Sequence, residues 1–144
     1  DALSQYQITD TIVARLLEVA RVKLPFEIVE VLRKDSLELN DDDRARLVAA
    51  ARAARFDRIV ITHGTDTMTT SAAALAAVQG RTIVLVGALT PARFAESDAS
   101  FNLGMAFAAA QVAPPGVYIT MNGTVFPAGE VVKDRAKGAF VLRS

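Results

Sequence analysis

The sequence contains no cysteine among its 144 residues. That excludes disulfides, thiolate zinc sites and a cysteine nucleophile. It also has a single histidine, His63, so a histidine metal cluster is impossible. Net charge is lacking too, because 16 basic residues balance 16 acidic ones. A balanced chain offers no electrostatic footprint for nucleic acid or an anionic membrane, and it permits self-association. No apolar run approaches the ~18 residues of a membrane span, and no signal peptide is visible. The cysteine-free composition suits the cytoplasm. What the chain does have is apolar residues, 51% of the total, enough for a folded core rather than disorder.

Hydrophobic periodicity lays out the elements. Residues 9–22 read as an amphipathic helix, with Ile12, Val13, Leu16, Leu17 and Ala20 at helical spacing and Leu24-Pro25 as the stop. Phe26 to Leu32 reads as a strand. Asn40 is a candidate N-cap for a helix running to about Arg55, with Asp41, Asp42 and Asp43 where the helix dipole favours carboxylates. Arg44, Arg46, Arg52 and Arg55 read as its solvated face. Asp57 to Thr62 is a second strand, Met68 to Val78 a helix closed by Gly80, and Thr82 to Val86 a third strand. A loop to Ser97, a helix over about 98–111 and a fourth strand, Val117 to Met121, follow. Asn122-Gly123 is a hairpin turn signal, with short strands expected within 124–132.

Alternating helices and unbroken apolar strands predict one α/β domain over residues 1–144, an open parallel sheet with helices on both faces and a terminal β-hairpin. A further strand is expected before Asp1, because the visible pattern starts on a helix. Open parallel sheets bind ligands beyond the carboxyl ends of their strands. The loops there hold Arg33-Lys34-Asp35-Ser36, His63-Gly64-Thr65-Asp66-Thr67 and Gly87-Ala88-Leu89-Thr90, and the chain after the hairpin reaches Lys133.

Each of these has a plain structural explanation. Thr65-Asp66-Thr67 would satisfy helix N-cap positions with no other purpose. Gly64 permits a sharp turn, and His63 reads as structural rather than as a base. The chemical reading needs the combination. A threonine hydroxyl becomes a nucleophile or acid only when something moves its proton, and Lys133 is placed for that where burial or nearby charge tunes it. Asp66 would hold a substrate ammonium or position the relay, while Ser36 and backbone N–H groups would hold a carboxylate. Such a site fits an amino acid whose side-chain amide is presented to a hydroxyl.

His63-Gly64-Thr65-Asp66-Thr67-Met68 resembles a signature of the bacterial-type L-asparaginases. Ile59-Val60-Ile61-Thr62 before it, Val86-Gly87-Ala88-Leu89-Thr90-Pro91 and Ser97-Asp98-Ala99-Ser100-Phe101-Asn102-Leu103 resemble further segments of that family in the same order. The resemblance spans nearly all of the chain and is to short members lacking a second domain. It implies a flavodoxin-like three-layer fold. It also implies hydrolysis of L-asparagine to L-aspartate and ammonia through a threonine acyl-enzyme, with neither metal nor organic cofactor. Thr65 and Asp66 fall on the family's Thr-Asp pair, and Lys133 on its lysine. Asp35-Ser36 resembles its substrate carboxylate-binding turn. Ser4-Gln5-Tyr6 resembles its mobile loop, which makes Tyr6 a catalytic candidate and Asp1 to Ile8 an expected lid. Ala88 is expected to touch the substrate, and backbone N–H groups near Ala88 or in the Thr65 turn are expected to face the oxyanion. The family's TGGTI-like motif, taken to carry the nucleophilic threonine, is not in this sequence and belongs to the strand expected before Asp1. Thr69-Thr70 stand where acidic residues are common in the family.

The expected setting is the cytoplasm, with the chain acting on a small molecule as a homodimer or higher homo-oligomer and with no nucleic acid or membrane partner. Three other functions remain open. One is a glutaminase or related amidohydrolase, and another the asparaginase-like subunit of a tRNA amidotransferase. The third is a catalytically inactive amino-acid sensor. A dinucleotide-binding protein is disfavoured, since no glycine-rich phosphate cradle is present.

Overall fold

The structure is a computed structural model that describes residues 10–90 and 96–144. Helix α1 spans Asp10–Val19, and a 3-10 turn at Ser36–Glu38 precedes α2, Asp41–Ala53. Then come β1 (Arg58–Thr62), α3 (Met68–Leu75), β2 (Thr82–Val86), α4 (Ala99–Val112), β3 (Gly116–Met121) and β4 (Thr124–Pro127). A second 3-10 turn, Ala128–Glu130, leads into β5 (Val131–Asp134) and β6 (Ala139–Leu142).

The main sheet is four-stranded in the order β1-β2-β3-β4. β1, β2 and β3 are parallel, and β4 returns antiparallel to β3. The central strand β2 is buried along its whole length, and its alternating side chains divide the core into two layers. Ile83 and Leu85 point into the cluster with Leu47 and Ala51 of α2 and with Met68, Ala72 and Leu75 of α3. Val84 and Val86 point the other way, onto Leu17 of α1 and Leu103, Ala106 and Ala110 of α4. Two apolar faces covered by helices give the expected three-layer α/β arrangement.

Local chemistry explains most boundaries. The Asn40 side chain accepts from Asp43 N at 2.9 Å while the Asp43 carboxylate accepts from Asn40 N at 3.1 Å, a reciprocal capping box. Asn122 and Gly123 both have positive φ, 48° and 95°, which gives the β3–β4 turn the twist that a tight hairpin needs.

Three expectations change. Phe26 to Leu32 is not a strand: it carries no ladder partner among the described residues. Its residues line an open apolar groove of about 830 Å³ together with residues of α1, α2, α4 and β1. An apolar run alone does not make a strand; it needs a backbone partner within hydrogen-bonding distance. The arginines of α2 are not simply a solvated face. The Arg44 side chain is only 11% exposed, and Arg46 and Arg52 donate to the Val31 and Ala77 carbonyls, tying α2 to its neighbours. Finally, the chain after Asn122-Gly123 makes two antiparallel pairs, β3–β4 and β5–β6. The second pairing brings in Ala139–Leu142, beyond a turn that ends on Gly138 at φ 61°.

Candidate active site

The carboxyl ends of β1 and β2 lie side by side. His63 N donates to the Val86 carbonyl, extending the ladder one residue past β1. A side chain at Gly87 would collide with the His63 carbonyl and press on Met68 and Thr65. Glycine is therefore required there by the close approach of two loops, and this approach sets Ala88, half-buried, next to the Thr65 turn.

The His63 ring is buried, with 5% of its surface exposed. Nδ1 lies 2.6 Å from the Gly64 carbonyl and Nε2 lies 2.8 Å from Ser71 Oγ. A carbonyl only accepts, so Nδ1 carries the proton and Nε2 accepts from the Ser71 hydroxyl. Burial lowers the His63 pKa below its ordinary value. Both ring nitrogens are thus committed to holding the turn, in line with a structural histidine.

Thr65, Asp66 and Thr67 do not cap α3 with their side chains. Thr67 occupies the N-cap position without a capping bond. Its hydroxyl donates instead to the Ser36 carbonyl, 2.6 Å away. Thr65 and Asp66 both face Lys133. Lys133 Nζ donates to Thr65 Oγ1 at 2.8 Å and to Asp66 Oδ1 at 3.0 Å. The lysine side chain is 19% exposed and the aspartate 29%. Lys133 reaches the site from β5, where it pairs with Phe140 of β6. Val131 is fully buried two residues earlier, on the same face of β5, and anchors the strand in the core. The stem of the lysine thus runs along protein while its ammonium finds two acceptors. The hydrogen bond from Lys133 lowers the Asp66 pKa, with the charges of Lys133 and Arg135 acting in the same direction against partial burial. Asp66 therefore stays ionised through the neutral range.

The Asp35-Ser36 turn joins the same region. The Asp35 carboxylate accepts from Leu37 N at 3.0 Å. Ser36 is 2% exposed, and its carbonyl takes the Thr67 hydroxyl. Thr65, Asp66, Asp35, Ser36 and Ala88 therefore sit in three loops at or beside the strand ends, and Lys133 reaches Thr65 and Asp66 from β5. Tyr6 and the expected lid, Asp1 to Ile8, lie outside the described residues. So does Pro91 to Ala95 of the loop after β2.

Two residues of this region carried no site reading in the sequence. Asp98, just before α4, accepts from Leu89 N and Thr90 N, both at 3.0 Å, and from the side-chain amides of Asn102 at 2.9 Å and Asn122 at 2.8 Å. Burial raises its pKa, but these donors outweigh burial and the net shift is downward. Asp98 so fixes the loop after β2 against the β3–β4 turn. Arg135, just beyond Lys133, lies 3.4 Å from Asp66 Oδ1 with its side chain 68% exposed. An acid preceding a helix reads as a cap, and a basic residue in a turn reads as solvated, so neither carried a local signal. Among the described residues, no group of three or more His, Asp or Glu is placed to hold a metal ion.

The family model described as Asparaginase, N-terminal, matches residues 2–144. The L-asparaginase of Thermococcus kodakarensis is 30% identical over 123 residues, covering 82% of this chain and 38% of that protein. A glutamyl-tRNA(Gln) amidotransferase subunit from Methanococcus vannielii is 36% identical over 115 residues, covering 78% of this chain and 27% of its own length. The solved structure of the thermostable L-asparaginase from T. kodakarensis superposes with a TM-score of 0.79 at 28% identity, covering 90% of this chain and 43% of that one. The chain thus spans less than half the length of these relatives. No described helix is long and apolar enough to cross a membrane.

Proposed function

The chain belongs to the asparaginase family, and from that premise we propose that it is an amidohydrolase whose substrate is L-asparagine, cleaved to L-aspartate and ammonia. The observation that carries the reading is the commitment of Thr65 and Asp66 to Lys133, more than sixty residues away, in place of the helix end beside them. A helix cap needs no distant lysine, whereas proton transfer at a hydroxyl needs a positioned acid or base, which Lys133 can supply.

In this reading a threonine hydroxyl attacks the side-chain amide carbon, ammonia leaves, and water cleaves the acyl-enzyme. Thr65, Lys133 and Asp66 form the proton relay. Lys133 Nζ passes a proton to the leaving nitrogen and takes the Thr65 Oγ1 proton in its place. Asp66 holds the lysine in register and balances its charge. The Asp35-Ser36 turn would take the substrate carboxylate, and the backbone N–H at Ala88 would face the oxyanion. One such donor is typically worth about 3–4 kcal/mol in acyl transfer. Tyr6 would act from the segment preceding α1. The same proposal includes self-association as a homodimer in a cytoplasmic setting. The zero net charge permits the first and the absence of cysteine suits the second; sedimentation of the intact protein tests the first.

A second substrate class, L-glutamine, is raised by the match to an amidotransferase subunit at an identity no lower than that of the asparaginase. Ammonia release from L-asparagine and from L-glutamine, measured on protein of verified intact mass, decides between them. Release from asparagine in preference supports the proposal. Release from glutamine alone moves the substrate. Product binding without release from either would make the chain an amino-acid sensor.

A further inference from the structure

The ends of β2 and β3 do not simply continue their ladder. Gly116 N donates to the Arg81 carbonyl at the start of this parallel pair, at 3.0 Å. The register then runs from Thr82 opposite Gly116 to Val86 opposite Thr120. One further step would set Asn122 N on the Gly87 carbonyl. The Asn102 carboxamide, from α4, stands there instead. Its Nδ2 donates to the Gly87 carbonyl at 2.9 Å, and its Oδ1 accepts from Asn122 N at 2.9 Å. Nδ2 also donates to Asp98 Oδ2 at 2.9 Å. The side chain is fully buried. A side-chain amide has thus taken the place of one backbone bond. It holds the two strand ends apart by its own width, at the carboxyl ends where open sheets receive ligands.

This insertion sets the direction of the next peptide. Along β2 the carbonyls alternate: Val86 takes His63 N on the β1 side, and Gly87 takes Asn102 on the β3 side. The Ala88 N–H shares a trans peptide with the Gly87 carbonyl and points the opposite way, toward β1 and the His63–Thr65 turn. No backbone acceptor takes it among the described residues. We propose that Asn102 is a positioning residue for the reaction: by clamping the Gly87 carbonyl it keeps the backbone of Ala88 turned toward the reacting amide. This inference rests on the amidohydrolase reading and deepens it. Asn102 acts through Ala88 and stands behind the loop, outside the Thr65–Lys133–Asp66 relay. Asp98 orients the clamp, because a carboxylate only accepts and so faces the donor end of the Asn102 amide.

The test compares the intact wild-type protein with Asn102→Leu, which keeps the bulk and removes the polar atoms, and with Asn102→Asp. Ammonia release from L-asparagine gives kcat and KM, and thermal unfolding gives the folded fraction at the assay temperature. In Asn102→Leu kcat should fall by about a hundredfold, the scale of a reacting group misplaced by about an ångström. KM should stay within about threefold, because the Asp35-Ser36 turn and Asp66 are untouched. Asn102→Asp carries the test should the leucine variant not fold. Protonated, its acid donates to Gly87 and accepts from Asn122; ionised, it has no donor and faces the Asp98 carboxylate. Its kcat relative to wild type should therefore rise as pH falls from about 8 to about 5. A folded leucine variant with wild-type kcat overturns the inference, whatever stability it has lost. So does a KM that rises as far as kcat falls, or a ratio in the aspartate variant that ignores pH. In the wild type both side-chain amide protons of Asn102 should exchange slowly with solvent, and rapid exchange removes the clamp. Wild-type protein that releases no ammonia from asparagine or glutamine removes the amidohydrolase reading, and this inference with it.

Discussion

The Thr67 hydroxyl donates to the Ser36 carbonyl across 2.6 Å, and this bond joins two loops that are thirty-one residues apart. One loop carries Thr65 and Asp66, the other Asp35 and Ser36. If the first handles the amide and the second the carboxylate, their spacing is set here. Thr67→Val keeps the shape and removes the donor, leaving a buried carbonyl without this partner. Urea denaturation should show a loss of about 1 kcal/mol. KM for asparagine should rise more than kcat falls, because binding geometry loosens while the relay stays intact.

Thr65→Val separates chemistry from folding. The residue is half-buried, and its hydroxyl meets the lysine rather than the helix end. Turnover should fall by about a hundredfold or more, the usual scale for losing a proton-transfer partner. Stability by thermal denaturation should change by less than about 1 kcal/mol. Unaltered turnover would take Thr65 out of the mechanism.

His63 makes stability depend on pH in a defined direction. Burial, aided by the charge of Arg44, lowers its pKa, against the opposing pull of the Gly64 carbonyl. The unfolded chain, with an ordinary imidazole near about 6.5, then binds the proton more readily than the folded chain. Stability is therefore fully present above that value and declines as pH falls through it towards the folded pKa. Denaturation midpoints between neutral and mildly acidic pH should fall in the wild type. In His63→Gln the slope over this window should flatten.

Asp98→Asn tests the support behind the loop after β2. The carboxylate receives backbone donors from Leu89 and Thr90 and amides from Asn102 and Asn122. An amide in its place turns one acceptor oxygen into a donor among donors. The expected cost is about 1–3 kcal/mol, with faster amide exchange at Leu89 and Thr90. Exchange unchanged at both positions would show that the loop is held by other contacts.

Asp66 gives the acid-side counterpart. Its lowered pKa, caused first by the Lys133 hydrogen bond, keeps the carboxylate charged below the ordinary value of about 3.9. Its contribution to stability is present above that value and is lost only as pH falls through the lower folded pKa. Asp66→Asn should lose activity at neutral pH while removing this group's share of the acid unfolding, measured by circular dichroism from pH 5 downward.

Local sequence determined much of the molecule. Ile59-Val60-Ile61 and Thr82 to Val86 are unbroken apolar runs that read as strands of a parallel sheet, and Thr82 to Val86 is buried along its whole length. Asn40 with Asp43, and Asn122 with Gly123, carry their cap and turn in their own side chains and backbone preferences. The HGTDT turn could be placed at a strand end for the same reason, and its string pointed to Lys133 by resemblance. Tertiary structure decided what depends on a distant partner. Phe26 to Leu32 has the composition of a strand but not the neighbouring backbone that makes one. Arg44 is covered by its surroundings, though its spacing on α2 looked solvated. Asp98 and Arg135 took on their roles only when folding brought the Leu89–Thr90 backbone and the Asp66 carboxylate to them. Periodicity and capping act over a few residues and are written in the chain; the meeting of Lys133 with Thr65 and Asp66 depends on how β5 packs, which no short window contains.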